Sequence, residues 1–157
     1  MNDNDFMAVA LSEAEKAFET GETPVGAVVV CGGEIVSKAF NTRETGKNAL
    51  YHAEIKAIDE ACKKLGGWRL WKCELFVTLE PCAMCAGAIV QSRVKRVVFG
   101  TGDAKGGAFG GRFDINGFGL NHVPEVVGGV MEKECSEMLT RFFTRLRGKK
   151  AEEKDRI

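Results

Sequence analysis

The sequence predicts an α/β fold in one domain, and three observations carry that prediction. Segments with helical spacing of apolar residues alternate with short β-branched runs; Gly32-Gly33 separates two such runs as a hairpin turn does; and strand, short helix and strand follow one another between Glu74 and Thr101. The length, 157 residues, suits a single domain with a real core. Hydrophobic residues at 45% and charged residues at 28% are ordinary globular usage, so neither a disordered chain nor a repeat array is expected.

The elements follow in order. Residues 5 to 20 place Met7, Ala10, Leu11, Ala14, Ala17 and Phe18 on one helical face, with Asp3 or Asn4 available to cap and Gly21 to stop it. Val25 to Cys31 reads as a strand and Glu34 to Phe40 as its hairpin partner. His52 to Leu65 is a helix closed by Gly66-Gly67, which puts His52 and Glu54 in its first turn. Glu74 to Leu79 is a buried strand, Cys82 to Gln91 a helix and Val94 to Thr101 a strand, so the two strands should run parallel. Residues 105 to 119 hold six glycines and read as loop; Val123 to Val127 is a fifth strand. Glu132 to Arg147 is a helix with Met138, Leu139, Phe142, Phe143 and Leu146 as its stripe. The domain is therefore drawn over 1–147, with 148–157 a charged tail expected to fray.

Charge and cysteine usage narrow the function. Lys plus Arg and Asp plus Glu are both 22, so the chain lacks the overall basic charge common in nucleic-acid-binding domains. No apolar run approaches the roughly 18 residues of a membrane span, and Met1 to Phe6 does not read as a signal peptide. A cytoplasmic location is expected, with the six cysteines reduced or metal-bound rather than paired.

The chemistry concentrates in two short motifs. His52-Ala53-Glu54 opens one helix, and Pro81-Cys82-Ala83-Met84-Cys85 opens the next. One imidazole and two thiolates can hold Zn2+ and leave its fourth tetrahedral position open, which is the mark of a catalytic rather than a structural site. Cysteines at i and i+3 at a helix start reach one metal from one face, and the helix end favours thiolates. Such a zinc lowers the pKa of its bound water to about 7. Glu54, two residues from a ligand, is placed to take that proton and return it to a departing amine. This H-x-E and P-C-x-x-C pair is the signature of zinc-dependent base deaminases. A lone C-x-x-C would fit a thiol-redox motif or a structural zinc site equally well. No second C-x-x-C closes a structural site, and a non-catalytic module would leave Glu54 without a role.

The other reactive side chains read as scaffold. Cys31, Cys62, Cys73 and Cys135 lie in apolar stretches and are expected to fill core. His122 beside Pro124 reads as a surface or hydrogen-bonded histidine. Phe142 and Phe143 fit core packing better than base stacking. Arg141, Arg145, Arg147, Lys149 and Lys150 form a run of five basic residues without an acidic one. They suit phosphate contacts or a solvated helix end equally.

With these motifs in place, Phe6 to Arg147 resembles the bacterial tRNA adenosine deaminase branch of the cytidine deaminase-like superfamily. The resemblance rests on the two motifs, Pro24-Val25-Gly26-Ala27-Val28, Asn41, Arg96-Val97-Val98-Phe99-Gly100, Asp103-Ala104-Lys105 and the helix Cys135 to Phe143. It implies a three-layer α/β/α fold with a five-stranded mixed sheet, a homodimer, and hydrolysis of adenosine to inosine at the wobble position of a tRNA anticodon stem-loop. It also implies that Asn41 contacts base or ribose, that backbone near Val28 and Ala53 lines the pocket, and that Asp103 lies at the substrate. The alternative is a deaminase of a free nucleobase or nucleoside such as guanine, adenine or cytosine. Asn48-Ala49-Leu50-Tyr51 and Ala108 to Arg112 depart from the usual pattern of that family, and Gly102 stands where its members often carry arginine. An altered pocket wall is expected beside Tyr51.

Overall fold

The computed structural model describes residues 1–156. Its elements are α1 (Asp3–Glu19), β1 (Gly26–Cys31), β2 (Glu34–Phe40), α2 (Ala53–Leu65), β3 (Cys73–Leu79), α3 (Ala83–Gln91), β4 (Arg96–Thr101), a 3-10 turn (Ile115–Gly117), β5 (Glu125–Gly128) and α4 (Glu132–Asp155). The strands form one five-stranded mixed sheet in the order β2-β1-β3-β4-β5. β1 is antiparallel to β2 and β3, while β3-β4 and β4-β5 are parallel, as the strand-helix-strand reading required.

Period-two alternation along the strands sorts side chains into two cores. Ala27 and Val29 of β1, Leu75 and Val77 of β3, and Val97 of β4 face α2 and α3, meeting Ala57, Ile58, Ala61, Ile89 and Val90. Val28, Val30, Phe76 and Val98 face α1 and α4, meeting Phe6, Met7, Ala10 and Cys135. Helices on both faces explain why β1 and β3 are nearly continuous apolar runs instead of alternating ones. Full burial of the Phe76 side chain contributes roughly 2–3 kcal/mol. Contact is tightest at Gly26, where a Cβ would overlap the Ala10 carbonyl and the backbone of Ala14. α1 therefore lies directly on the start of β1.

Several expected boundaries move for local physical reasons. α1 starts at Asp3, and its cap is Asn2 instead of Asp3 or Asn4: the Asn2 side chain accepts from Asp5 N at 3.0 Å while Asp5 accepts from Asn2 N at 2.8 Å. His52 and Cys82 stand in extended conformation at the N-caps of α2 and α3, one position outside the first turns. α4 does not stop at Arg147 but continues to Asp155. Gly148 costs a helix only about 1 kcal/mol, and the strong helix formers after it offset that. The glycine-rich 105–119 segment is packed: Ala108, Phe109 and Ile115 are buried in the α2/α3 core. Among the described residues no helix is long and apolar enough to cross a membrane.

Candidate metal centre and active site

The parallel strands β3 and β4 end at Leu79 and Thr101, and the chain crosses from β3 into α3 through Glu80-Pro81-Cys82. Ligand sites of α/β sheets sit in this place, beyond the carboxyl ends of parallel strands. The N-terminus of α2 arrives beside it, so two helix starts converge and bring their positive ends to the same point. His52 Nδ1 lies 3.7 Å from Cys82 Sγ and 3.5 Å from Cys85 Sγ. The three ligand atoms are all within 4.8 Å of one another. A tetrahedral zinc with nitrogen at about 2.05 Å and sulfur at about 2.3 Å separates the two by about 3.6 Å. The donor set and its spacing therefore fit a tetrahedral ion.

The protons of the trio agree with that reading. A bond from the Cys85 thiol, then one from His52, pulls the Cys82 thiol down to about 4 against the opposing effect of burial. The same bond and burial push the Cys85 thiol far up, and the Cys82 sulfur holds the His52 imidazole above its ordinary value. One thiolate thus accepts bonds from two protonated neighbours. A metal cation binding the trio displaces those protons.

Glu54 lies in the first turn of α2 with its side chain 4% exposed. Burial, the largest effect, raises its carboxyl to about 7. A carboxyl near neutrality can take a proton and give it back, whereas one near 4 stays ionised. A dication held by the trio would pull it back down.

A cavity opens over His52 and Glu54 between two loops. Asn41 and Arg43 of one loop, Glu80 and Asp103 around another, and Ala53, Val25 and Leu79 line it. Asn41 is buried and braced, donating to Thr23 O at 3.2 Å and accepting from Arg43 N at 3.2 Å. Asp103 accepts from Lys105 N at 3.0 Å and Gly106 N at 3.3 Å. Asn41, Ala53 and Asp103 all line this cavity. Val28 is not among the residues lining the cavity: alternation along β1 buries its side chain against α1 on the opposite face, and Val25 lines the cavity. Tyr51 is also absent from the wall. It packs against Gly46, where a Cβ would press on the ring at 2.5 Å, and its carbonyl accepts from Thr42 N at 3.0 Å.

Two buried carboxylates that brace loops beside this cavity escaped the sequence reading. Glu22 accepts from Glu44 N at 3.0 Å, Thr45 N at 2.6 Å and Thr45 Oγ1 at 2.7 Å, which fixes the loop that carries Asn41 and Arg43. Burial opposes ionisation of Glu22, and the bonds from Thr45 and Glu44 outweigh it. Glu80 fixes the opposite loop. The usable signal was the glycine-rich loop itself, whose amides need acceptors that loop carbonyls do not supply. His122 accepts no such role: its ring lies 2.7 Å from the Val94 carbonyl, a structural bond.

The MafB19-like deaminase model matches residues 1–147. The chain belongs to this deaminase family. Within it, the chain is similar to the tRNA-specific adenosine deaminase of Bacillus subtilis (strain 168), at 54% identity over 94% of this chain and 92% of the relative. A solved structure from work on A-to-I editing by tRNA:A34 deaminases at the wobble position superposes with a TM-score of 0.80 and 40% identity, covering 86% of this chain and 99% of that one. The guanine deaminase of Bacillus subtilis is more distant, with a TM-score of 0.63 and 38% identity over 65% of this chain and 66% of that chain. This deaminase is thus a hydrolytic enzyme whose His-Cys-Cys group can hold a metal, and its fold is the α/β/α one that its relatives share.

Proposed function

We propose that this deaminase converts adenosine to inosine in a tRNA anticodon stem-loop, with Zn2+ held by His52, Cys82 and Cys85. The observation that carries the substrate is the 54% identity, over nearly all of both chains, to a tRNA-specific adenosine deaminase. Water adds at C6 of the base and the exocyclic amine leaves as ammonia, so no redox partner is needed. The metal, when bound, polarises the attacking water. Glu54 accepts the water proton and delivers it to the leaving nitrogen, and its burial keeps bulk water from competing. Asn41 and Asp103, both lining the cavity, face the base or ribose, while Ala53 contributes backbone.

A groove beside the cavity supports a substrate larger than a free base. It shares Thr23, Leu79 and Asp103 with the cavity and continues past Lys105 to Phe143 and Arg147 of α4. Phe143 is 41% exposed, which suits stacking of a neighbouring nucleotide better than core packing. Inosine formed in a stem-loop carrying adenosine at the wobble position tests the reading. Absence of inosine together with ammonia release from guanine or another free base would favour the small-molecule alternative instead.

The working form is a cytoplasmic homodimer. Met84, Gly87 and Ala88 of α3 are only partly covered, and Trp68, 51% exposed, lines a shallow hollow with Ala88, giving an apolar face for a second copy. Light scattering at micromolar concentration should give twice the 17.1 kDa chain mass; the mass of one chain would refute the dimer.

A further inference from the structure

We propose that Glu80 is a positioning residue of the deamination, clamping the 103–111 loop against the metal-ligand turn so that Asp103 meets the substrate. The inference rests on the cavity over Glu54 being the substrate site. Glu80 is 4% exposed, and among the described residues no lysine or arginine pairs with it. A buried carboxylate without a counter-cation survives only when its lone pairs are satisfied. Backbone supplies the donors: Oε1 accepts from Asp103 N at 2.9 Å, and Oε2 accepts from both Phe109 N and Gly111 N at 2.9 Å.

The rest of the loop is shaped to this carboxylate. A Cβ at Gly107 would overlap the Glu80 carboxyl, and one at Gly111 would overlap the Asp103 carbonyl and crowd Glu80 Oε1. Glu80 N donates to Thr101 O at 2.8 Å, and Ala108 N donates to Pro81 O at 2.9 Å. The carboxylate is therefore fixed to β4 by its backbone and to the loop by its side chain, two residues from Cys82. Glu80 and Asp103 both line the cavity, so a shift of the loop moves the substrate wall while the metal trio stays in place. Displacement of a binding group by about 1 Å is enough to cost substantial rate or affinity. A glutamine cannot replace this clamp. It keeps one oxygen, and its amide nitrogen faces N–H groups.

Glu80→Gln and, from the loop side, Gly107→Ala provide the test. Metal content, amide hydrogen exchange at Asp103, Phe109 and Gly111, and steady-state kinetics on the stem-loop are measured for both and for the native chain. The expected result is unchanged metal, exchange faster by about tenfold at the three amides, and KM raised about tenfold with kcat altered less than about threefold. A purely structural residue would lower the active fraction, and so kcat, with KM untouched. Native exchange rates, a fall in kcat at constant KM, or loss of metal in Glu80→Gln would each overturn the proposal. If the native enzyme leaves the stem-loop unchanged, the tRNA reading fails by itself. The KM comparison then moves to the free base or nucleoside it does turn over, and the same criteria apply. If Glu80→Gln does not fold, Gly107→Ala decides by the same measurements.

Discussion

His52 Nδ1 stands 3.5 Å from Cys85 Sγ although 33 positions separate them in the chain. The contact exists because α2 and α3 begin at the same end of the sheet. With Cys82 it makes a three-donor site, so the purified protein should contain about one zinc per chain. Cys82→Ala or Cys85→Ala should lose it, because two remaining ligands hold a metal far less tightly than three. Elemental analysis of protein prepared without chelators decides this; a metal-free native chain would remove zinc from the mechanism.

Glu54→Gln keeps the size of the side chain and leaves all three ligands in place. It should retain the metal and lose about 10²–10⁴-fold in kcat, the usual contribution of a positioned proton carrier. Full activity with full metal content would show that Glu54 carries no proton.

Arg96 on β4 grips Asp3 in the first turn of α1 with bonds of 3.0 and 2.7 Å. The Arg96 guanidinium holds the Asp3 carboxyl below its ordinary value against partial desolvation. A depressed carboxyl stabilises the fold above the unfolded pKa and loses that contribution as pH falls through the folded one. Asp3→Asn should cost about 0.5–1 kcal/mol at pH 7, the range for a largely solvated ion pair. Glu74 and Glu125, at 3.6 and 3.9 Å from Arg96, limit the loss. In urea denaturation, the gap between the native chain and the variant should begin to narrow as pH falls below about 4 and close only below the depressed folded pKa of Asp3. A gap that stays constant down to about pH 2 would mean the effect is not ionic.

The basic run on α4 divides in the structure. Arg141 lies over the Phe18 ring at 4.5 Å and pairs with Glu15 at 3.3 Å; Arg145 also lies over Phe18, at 5.5 Å. Arg147 lines the groove beside the cavity. Neutralising Arg147 should therefore weaken stem-loop binding more than neutralising Arg145, and should flatten the salt dependence by about one unit of slope. Filter binding across a salt series measures both. Equal effects of the two substitutions would place the RNA elsewhere.

How much of this was legible beforehand follows the range of the interactions involved. The helix and strand order, the parallel β3-β4 pair and the His-Cys-Cys trio with Glu54 were readable, because periodicity and motif spacing are local and each type of chemistry needs particular side chains. The alternation that turns Val28 away from the cavity was also in principle local. The register of β1 turns Val28 to the α1 face, and Val25, just before the strand, lines the cavity. Tyr51 looked like a pocket residue from its place beside His52, yet the ring is drawn to Gly46.

The sequence by itself determined the parts of the proposed reaction: a His-Cys-Cys trio that can hold a metal, a carboxyl beside it, and a sheet to hold them. Tertiary structure alone decided how the walls of the site are held. Glu22 and Glu80 act on loops more than twenty positions away, and a carboxylate that satisfies distant backbone amides leaves no periodic or spacing signal. Such a group becomes recognisable only when burial removes water as its alternative partner, which happens when the chain has folded.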